Sequence, residues 1–177
     1  RDALLLASGS LDLAPGRGHP FPSPTAWGYT QHGPYAAVYA HRKRSVYLMT
    51  QRLKRHPFLA LFDGADPNAS TPERRTTTVP TQALFFLNDP LVHEESDALA
   101  RRVLAEAGDT GDPVGLTYRR VLGRDPRAAE AAEARRFLEA YRAGLASAGA
   151  GGEDPGPGAL AALARVLFGS NEFLTVD

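Results

Sequence analysis

A segment near the N-terminus, from Ser10 to Pro34, contains too many prolines and glycines to form a helix or a strand. Its prolines stand at positions 15, 20, 22, 24 and 34, and its glycines at positions 16, 18, 28 and 33. Proline lacks a backbone N–H and glycine loses much conformational freedom when ordered, so we expect an ordered or semi-ordered loop here. The regular structure and the core must come from the rest of the chain.

Four aromatic residues lie along this loop or just after it: Trp27, Tyr29, Tyr35 and Tyr39. Such residues most often pin a long loop to a core. The alternative is an aromatic surface on which sugars or bases stack. The sequence leaves both interpretations open.

Helix signals are clear after Asp89. Asp-Pro pairs at Asp89, Asp112 and Asp125 predict helix starts, and Gly108 and Gly123 predict helix ends. Apolar residues at helical spacing predict buried faces, with Glu94 and Glu95 turned to solvent. Residues 148–158 (AGAGGEDPGPG) read as a flexible linker, and a last apolar helix follows, ending at Gly169.

Between Phe62 and Asn88 a polar turn leads into an apolar helix. The short side chains of Asp63, Asp66 and Asn68 can accept backbone hydrogen bonds and fix a tight turn around Pro67. A calcium loop is disfavoured, because its sixth position should be glycine and its twelfth glutamate, whereas this chain has Asn68 and Arg74.

Arg74 and Arg75 follow this turn and can form bidentate pairs with its aspartates, which we favour over the capture of a ligand. The helix after Pro80 carries Leu84 to Leu87, and we expect it to be largely buried. Apolar residues alternate over Arg42 to Gln51, which predicts a short strand, with Thr76 to Val79 as a possible partner.

These patterns predict a mainly α-helical fold with a proline- and glycine-rich irregular N-terminal arm and at most a short β pairing. We expect one C-terminal domain of a larger protein, with a basic aromatic arm at 1–56, a helical core at 57–147, the linker at 148–158, and a docking helix and tail at 159–177.

The formal net charge of zero conceals an asymmetry. From Leu13 to Phe62 there is no acidic residue and the net charge is +7, whereas from Asp63 onward it is −6. We expect the two parts to pack on each other. A polyanion partner is the alternative, although nucleic acid is disfavoured.

No motif in the sequence names a reaction. The chain has no cysteine, which excludes disulfides, thiolate metal sites, covalent haem attachment and cysteine nucleophiles. It has no apolar run near the roughly 18 residues that span a bilayer. His93 and Asp97 are four residues apart on a predicted helix, but a second histidine is missing, so we predict no metal site. No phosphate loop or nucleophile elbow occurs.

Several short motifs occur in a fixed order along the chain: Arg44–Tyr47, Phe62-Asp63, Asp66–Asn68, Thr77–Leu84, Leu87-Asn88, Val92–Glu94, Tyr118–Arg124, Ser170–Leu174 and Val176-Asp177. In this order they resemble the PSD-type C-terminal domain of unknown function found in planctomycete cytochrome-c-associated proteins. The resemblance implies a periplasmic or extracellular multidomain parent, with haem c in its upstream domains and no cofactor in this one. It carries no catalytic residues.

We therefore expect a non-catalytic module that docks on upstream domains of its own polypeptide or binds an extracellular polysaccharide. The alternative is an enzyme subsite that acts with those domains on a carbohydrate or another extracellular substrate. The candidate binding residues are Arg44, Tyr47, Asp63, Asp66, Asn68, Arg74, Arg75 and Gln82.

Overall fold

The computed structural model describes residues 1–30, 32–33, 35, 37–52, 54–73, 77, 79–108, 111–147 and 155–175. Over these residues the helices are α1 (Asp2–Ser8), α2 (Pro57–Leu61), α3 (Pro80–Asn88), α4 (Pro90–Ala107), α5 (Pro113–Leu122), α6 (Ala128–Ser147), α7 (Pro155–Phe168) and α8 (Asn171–Leu174). Two 3-10 turns lie at Pro24–Ala26 and Ser45–Tyr47. In the described residues the β structure is a single bridge between Asp12 and Lys43. The predicted fold class is confirmed.

The chain divides into two compact units. A helical unit comprises Arg1–Leu11 and Ala83–Asp177, and an irregular unit comprises Asp12–Gln82. The irregular unit therefore extends beyond the predicted arm and includes α2 and the polar turn.

The core of the helical unit forms around α4. This helix begins at Pro90, where the Asp89 side chain accepts a hydrogen bond from the Leu91 N–H at 2.9 Å. It packs against α1, α5 and α7, and α7 also contacts α5, α6 and α8. The fully buried residues on these helices include Leu5, Val92, Leu99, Val103, Ala164 and Phe168. The predicted apolar faces of α4 and α7 are thus the packed faces.

The predicted linker ends inside a helix. Residues 148–154 lie outside the described residues, and α7 begins at Pro155, within the stretch predicted to be flexible. Its alanines at 159, 161, 162 and 164 are buried, so neighbouring helices can approach its backbone closely.

The prediction that α3 is largely buried is wrong. Phe86 is buried, but Leu84 is 52% exposed and Leu87 is 65% exposed. A nine-residue helix has two and a half turns, and this one buries a single face, although apolar residues cover more than one. Apolar composition alone did not reveal which face would pack.

Glu95 faces the core, and the prediction that it faces solvent is wrong. Its side chain is fully buried. Oε2 accepts hydrogen bonds from the Ser8 hydroxyl at 2.5 Å and from the Ser10 hydroxyl. A buried carboxylate needs such donors, and Ser8 at the end of α1 and Ser10 two residues later supply two of them.

The predicted strand over Arg42 to Gln51 is also wrong. Ser45–Tyr47 forms a 3-10 turn, in which the Tyr47 N–H donates to the Arg44 carbonyl and the Leu48 N–H to the Ser45 carbonyl, each at 3.0 Å. These local bonds satisfy backbone groups that a strand would have offered to a partner. Of the proposed partner segment, Thr76 and Thr78 lie outside the described residues.

Arg124 connects α8 to the segment between α5 and α6. Its guanidinium makes two hydrogen bonds of 2.8 Å to the Glu130 carboxylate and bonds of 2.6 and 2.8 Å to the Glu172 carboxylate. It also lies 5.8 Å from the centroid of the Tyr118 ring. These hydrogen bonds raise the pKa of Arg124, and the bonds from Arg124 and from the Arg127 N–H lower the pKa of Glu130 to about 2.

Candidate binding site

The aspartates of the polar turn accept hydrogen bonds from their own loop. Asp63 has a left-handed backbone conformation, with φ at +53°, and its Oδ2 accepts from the Thr77 N–H at 3.0 Å and the Thr77 hydroxyl at 2.6 Å. Asp66 Oδ1 accepts from the N–H of Asn68 at 2.9 Å and from its side-chain amide at 3.2 Å, and the backbone bond lowers the pKa of Asp66. The turn predicted around Pro67 is present.

The amide side chains near this turn connect it to neighbouring segments. Asn68 Nδ2 donates to the Arg52 carbonyl at 2.7 Å. Gln82 Nε2 donates to the Leu61 carbonyl at 3.0 Å, and its Oε1 accepts from the Val79 N–H at 3.3 Å. These contacts hold the loop in shape.

The remaining candidate residues belong elsewhere or lie outside the described residues. Arg44 precedes the 3-10 turn and is exposed. Tyr47 lies in that turn against Gly16, where a Cβ atom would come within 2.5 Å of the tyrosine Cδ1. Arg74 and Arg75 lie outside the described residues, so their pairing with the aspartates stays a prediction.

A groove of about 440 Å³ lies beside the polar turn and is lined by Arg55, Asp63, Asp66, Ser70 and Glu73 among others. Arg55 Nη2 donates to the Gly64 carbonyl on this wall. Asp63 and Asp66 already accept the hydrogen bonds that shape the loop. The groove is therefore lined largely by groups that serve the turn itself.

Seven aromatic rings of the irregular unit form a continuous chain of contacts, which we call the aromatic cluster. From one end to the other, the ring centroids are separated by 6.4 Å (Trp27–Tyr29), 4.8 Å (Tyr29–Tyr35), 6.5 Å (Tyr35–Tyr39), 5.5 Å (Tyr39–His19) and 6.5 Å (His19–His41). The Phe21 ring contacts the Tyr35 ring, with the two centroids 5.4 Å apart. These distances lie in or near the range of favourable aromatic pairs.

One end of the aromatic cluster faces solvent. Trp27 is 57% exposed, Phe21 55% and Tyr29 39%. Trp27 Nε1 donates to the Pro22 carbonyl at 2.9 Å, and the Tyr39 hydroxyl donates to the Pro20 carbonyl at 2.7 Å. This end of the cluster is thus an exposed apolar surface, and the Trp27 and Tyr39 side chains are held by hydrogen bonds to the proline-rich backbone.

The sequence pattern predicted only part of this cluster. Phe21, His19 and His41 were not recognised as members, and none of the seven rings was among the candidate binding residues. The detectable signal is the alternation of His19 and Phe21 with prolines at 20 and 22, and proline stiffens the backbone that carries these rings.

Exposed cations flank the histidine end of the aromatic cluster in the sequence. Arg17 and Arg42 are exposed and lie two and one positions from His19 and His41. Lys43 Nζ lies 2.5 Å from the Asp12 carboxylate, and its hydrogen bond lowers the pKa of that group. The cluster therefore lies in a basic segment of the chain.

Over the part of the chain that the structure describes, no three His, Asp or Glu side chains are grouped as metal ligands would be. His93 Nε2 contacts the Leu87 carbonyl at 3.0 Å, consistent with donation by the ring.

None of the described helices is both long and apolar enough to cross a membrane.

A family model described as PSD1, protein of unknown function (DUF1553), matches residues 1–138. The chain belongs to the PSD1 family. No curated protein and no solved structure matches the chain significantly. The PSD1 match includes the whole irregular unit and ends inside α6, so the buried helix α7 lies beyond it.

Proposed function

We propose that this PSD1 chain is a non-catalytic binding module that holds a polysaccharide on its aromatic cluster. The observation that carries the proposal is the exposure of Trp27, more than half of whose surface is open although a hydrogen bond fixes its indole. A large apolar ring in water, held in place before any ligand arrives, is a favourable contact surface.

The chemistry of the rings suits a sugar polymer. The C–H faces of a pyranose stack on aromatic faces, and sugar hydroxyls can exchange hydrogen bonds with tyrosine hydroxyls and histidine nitrogens. The ring centroids follow one another at 4.8 to 6.5 Å, a spacing comparable to one sugar unit along an extended chain. A row of rings therefore suits a polymer better than a single small molecule.

The second candidate is an enzyme subsite at the polar turn, favoured by the groove of about 440 Å³ beside it. Asp63 and Asp66 would be its acids. Their carboxylates accept hydrogen bonds from Thr77 and Asn68, which is a structural use, so we favour the binding module. If Asp66→Asn abolished turnover by the parent protein while polysaccharide binding persisted, the enzyme subsite would be the better account.

We also propose a cellular location and a domain context for the chain. The resemblance to exported cytochrome-c-associated proteins supports a periplasmic or extracellular location, haem c in other domains of the parent, and docking of this chain on those domains. Fractionation of cells that produce the parent tests the location. Co-purification of the chain with separately produced upstream domains tests the docking.

Affinity gel electrophoresis in gels with and without a neutral polysaccharide tests the binding. We expect at least one β-linked glucan or galactan to retard the wild-type chain, and Trp27→Ala and Tyr29→Ala to remove most of the retardation. Tyr141→Ala is the matched control, because Tyr141 pairs with Phe137 on α6, outside the aromatic cluster.

The outcomes separate the alternatives. Retardation that persists in moderate salt and depends on Trp27 supports the proposal. Absence of retardation in every polysaccharide, or equal loss in the Tyr141→Ala control, contradicts it. Steeply salt-dependent binding to single-stranded nucleic acid but to no polysaccharide would identify a polyanion site and overturn the proposal.

A further inference from the structure

Three arginines of the helical unit line a cavity of about 450 Å³ where the end of α1 meets α4 and α5. The wall contains Arg102, Arg119 and Arg120 with the apolar side chains of Leu6 and Leu11, and its described residues include no carboxylate. A cavity of this volume is in the range of small-ligand sites. None of the described residues of its wall belongs to the aromatic cluster.

The end of α1 places Arg102 on the wall. Gly9 has φ at +85°, and a Cβ atom there would come within 2.6 Å of Arg102 Nη1. Arg102 Nη1 lies 3.5 Å from the Leu6 carbonyl and 3.4 Å from the Ala7 carbonyl, which are long contacts. The glycine is thus needed for the guanidinium to reach this position.

The acidic partners of these arginines lie outside the wall. Glu106 accepts from Arg102 Nε at 3.0 Å and from Arg120 Nη2 at 2.8 Å, which holds both guanidiniums in orientation. Hydrogen bonds from Arg120 and then Arg102 lower the pKa of Glu106. The two arginines therefore share one carboxylate. Because a guanidinium has five N–H donors, Glu106 does not use all the donors of either arginine.

The third arginine has an exchangeable partner. Arg119 Nη1 lies 2.6 Å from Asp125 Oδ1, and the side chains are 50% and 71% exposed. An exposed ion pair of this kind contributes little stability, so an incoming anion can compete for Arg119 at small cost.

We propose that this cavity binds an oxyanion carried on a small ring or apolar group. The oxyanion is a carboxylate, a sulfate ester or a phosphate ester, which planar guanidiniums bind through paired hydrogen bonds. Leu6, which is 61% exposed, and Leu11 contact the apolar part. The site does not depend on polysaccharide binding elsewhere in the chain.

Saturation-transfer NMR on the 177-residue chain, with phenyl sulfate, phenyl phosphate and benzoate as probes and phenol as the neutral comparison, tests the site at constant ionic strength. We expect at least one anionic probe to bind and phenol to show no saturable signal. Arg119→Gln should weaken binding roughly ten-fold, as expected for loss of a charge-assisted hydrogen bond. The relative affinities of the three anions identify the preferred group.

Arg136→Gln on α6 is the control, because it removes the same charge from an exposed residue outside the cavity wall. It should leave binding unchanged. Arg120→Gln provides a second variant, and a thermal melt of each variant verifies folding. Absence of binding by every anion, equal binding of phenol, or equal weakening by Arg119→Gln and Arg136→Gln would overturn the proposal.

Discussion

Trp27 donates its indole N–H to the carbonyl of Pro22 at 2.9 Å, while 57% of the tryptophan remains exposed. The 3-10 turn at Pro24–Ala26 brings these two residues together. In this turn the backbone N–H of Trp27 donates to the Pro24 carbonyl at 3.3 Å. The ring is thereby oriented before a ligand binds. Because less side-chain freedom is then lost on binding, this arrangement favours affinity.

Removing a donor to Glu95 should destabilise the helical unit. Ser8→Ala removes the 2.5 Å hydrogen bond to a fully buried carboxylate. We expect a loss of about 1–3 kcal/mol in the free energy of unfolding, measured by urea denaturation. Ser147→Ala, at an exposed position on α6, should change it by less than about 0.5 kcal/mol. An equally small effect of Ser8→Ala would show that Glu95 does not rely on this bond.

Arg124→Gln should reduce the dependence of stability on acid pH. The folded-state pKa of Glu130 is about 2 against an ordinary value of 4.5, and the hydrogen bond from Arg124 also lowers the pKa of Glu172. A lowered carboxyl pKa stabilises the fold above the ordinary value, and this contribution is lost as pH falls from about 4.5 towards 2. The wild-type chain should lose stability across this window.

The Arg124→Gln variant should be less stable than the wild type near neutral pH and should show a flatter profile in the same window. Urea midpoints measured between pH 2 and pH 7 provide the comparison. Arg136→Gln removes an arginine from an exposed site and should keep the wild-type slope. If Arg124→Gln also kept the wild-type slope, Arg124 would not be the cause of the lowered pKa values of Glu130 and Glu172.

Helix α7 should be essential for the fold although it lies beyond the PSD1 match. Phe168 is fully buried, and its ring centroid lies 5.0 Å from that of Phe173 in α8. Phe168→Ala should cost about 3–5 kcal/mol in the free energy of unfolding, measured by chemical denaturation. Val166→Ala on the same helix, where Val166 is 61% exposed, should cost less than about 0.5 kcal/mol. Similar costs for both variants would contradict the packing described.

The bounds of α4 and α5 were predictable because their signals are local. Asp89 and Pro90 begin α4 as expected, and Gly123, with φ at +70°, ends α5. The burial of Glu95 was not predictable, since its donors Ser8 and Ser10 are 87 and 85 positions away in the sequence. No periodicity within α4 carries that information.

The candidate site was only partly predictable. The turn at Asp66 follows from its hydrogen bond with Asn68 two residues on, whereas Asp63 accepts from Thr77, 14 positions away. The aromatic cluster depends on His19 meeting Tyr39 and His41 across an irregular path, which no repeat encodes. The sequence therefore indicated that aromatic residues were concentrated here but left their exposure undecided.

The intrinsic fluorescence of Trp27 tests the central claim most directly. Trp27 is the single tryptophan of the chain, so its emission reports on the aromatic cluster alone. If the cluster binds polysaccharide, titration with oligosaccharides of the retarding polysaccharide should shift the emission to shorter wavelength and protect Trp27 from acrylamide quenching, with saturation. Tyr29→Ala should weaken the response and Tyr141→Ala should not. Unchanged emission and quenching at concentrations that retard the chain in the gel would contradict the proposed site.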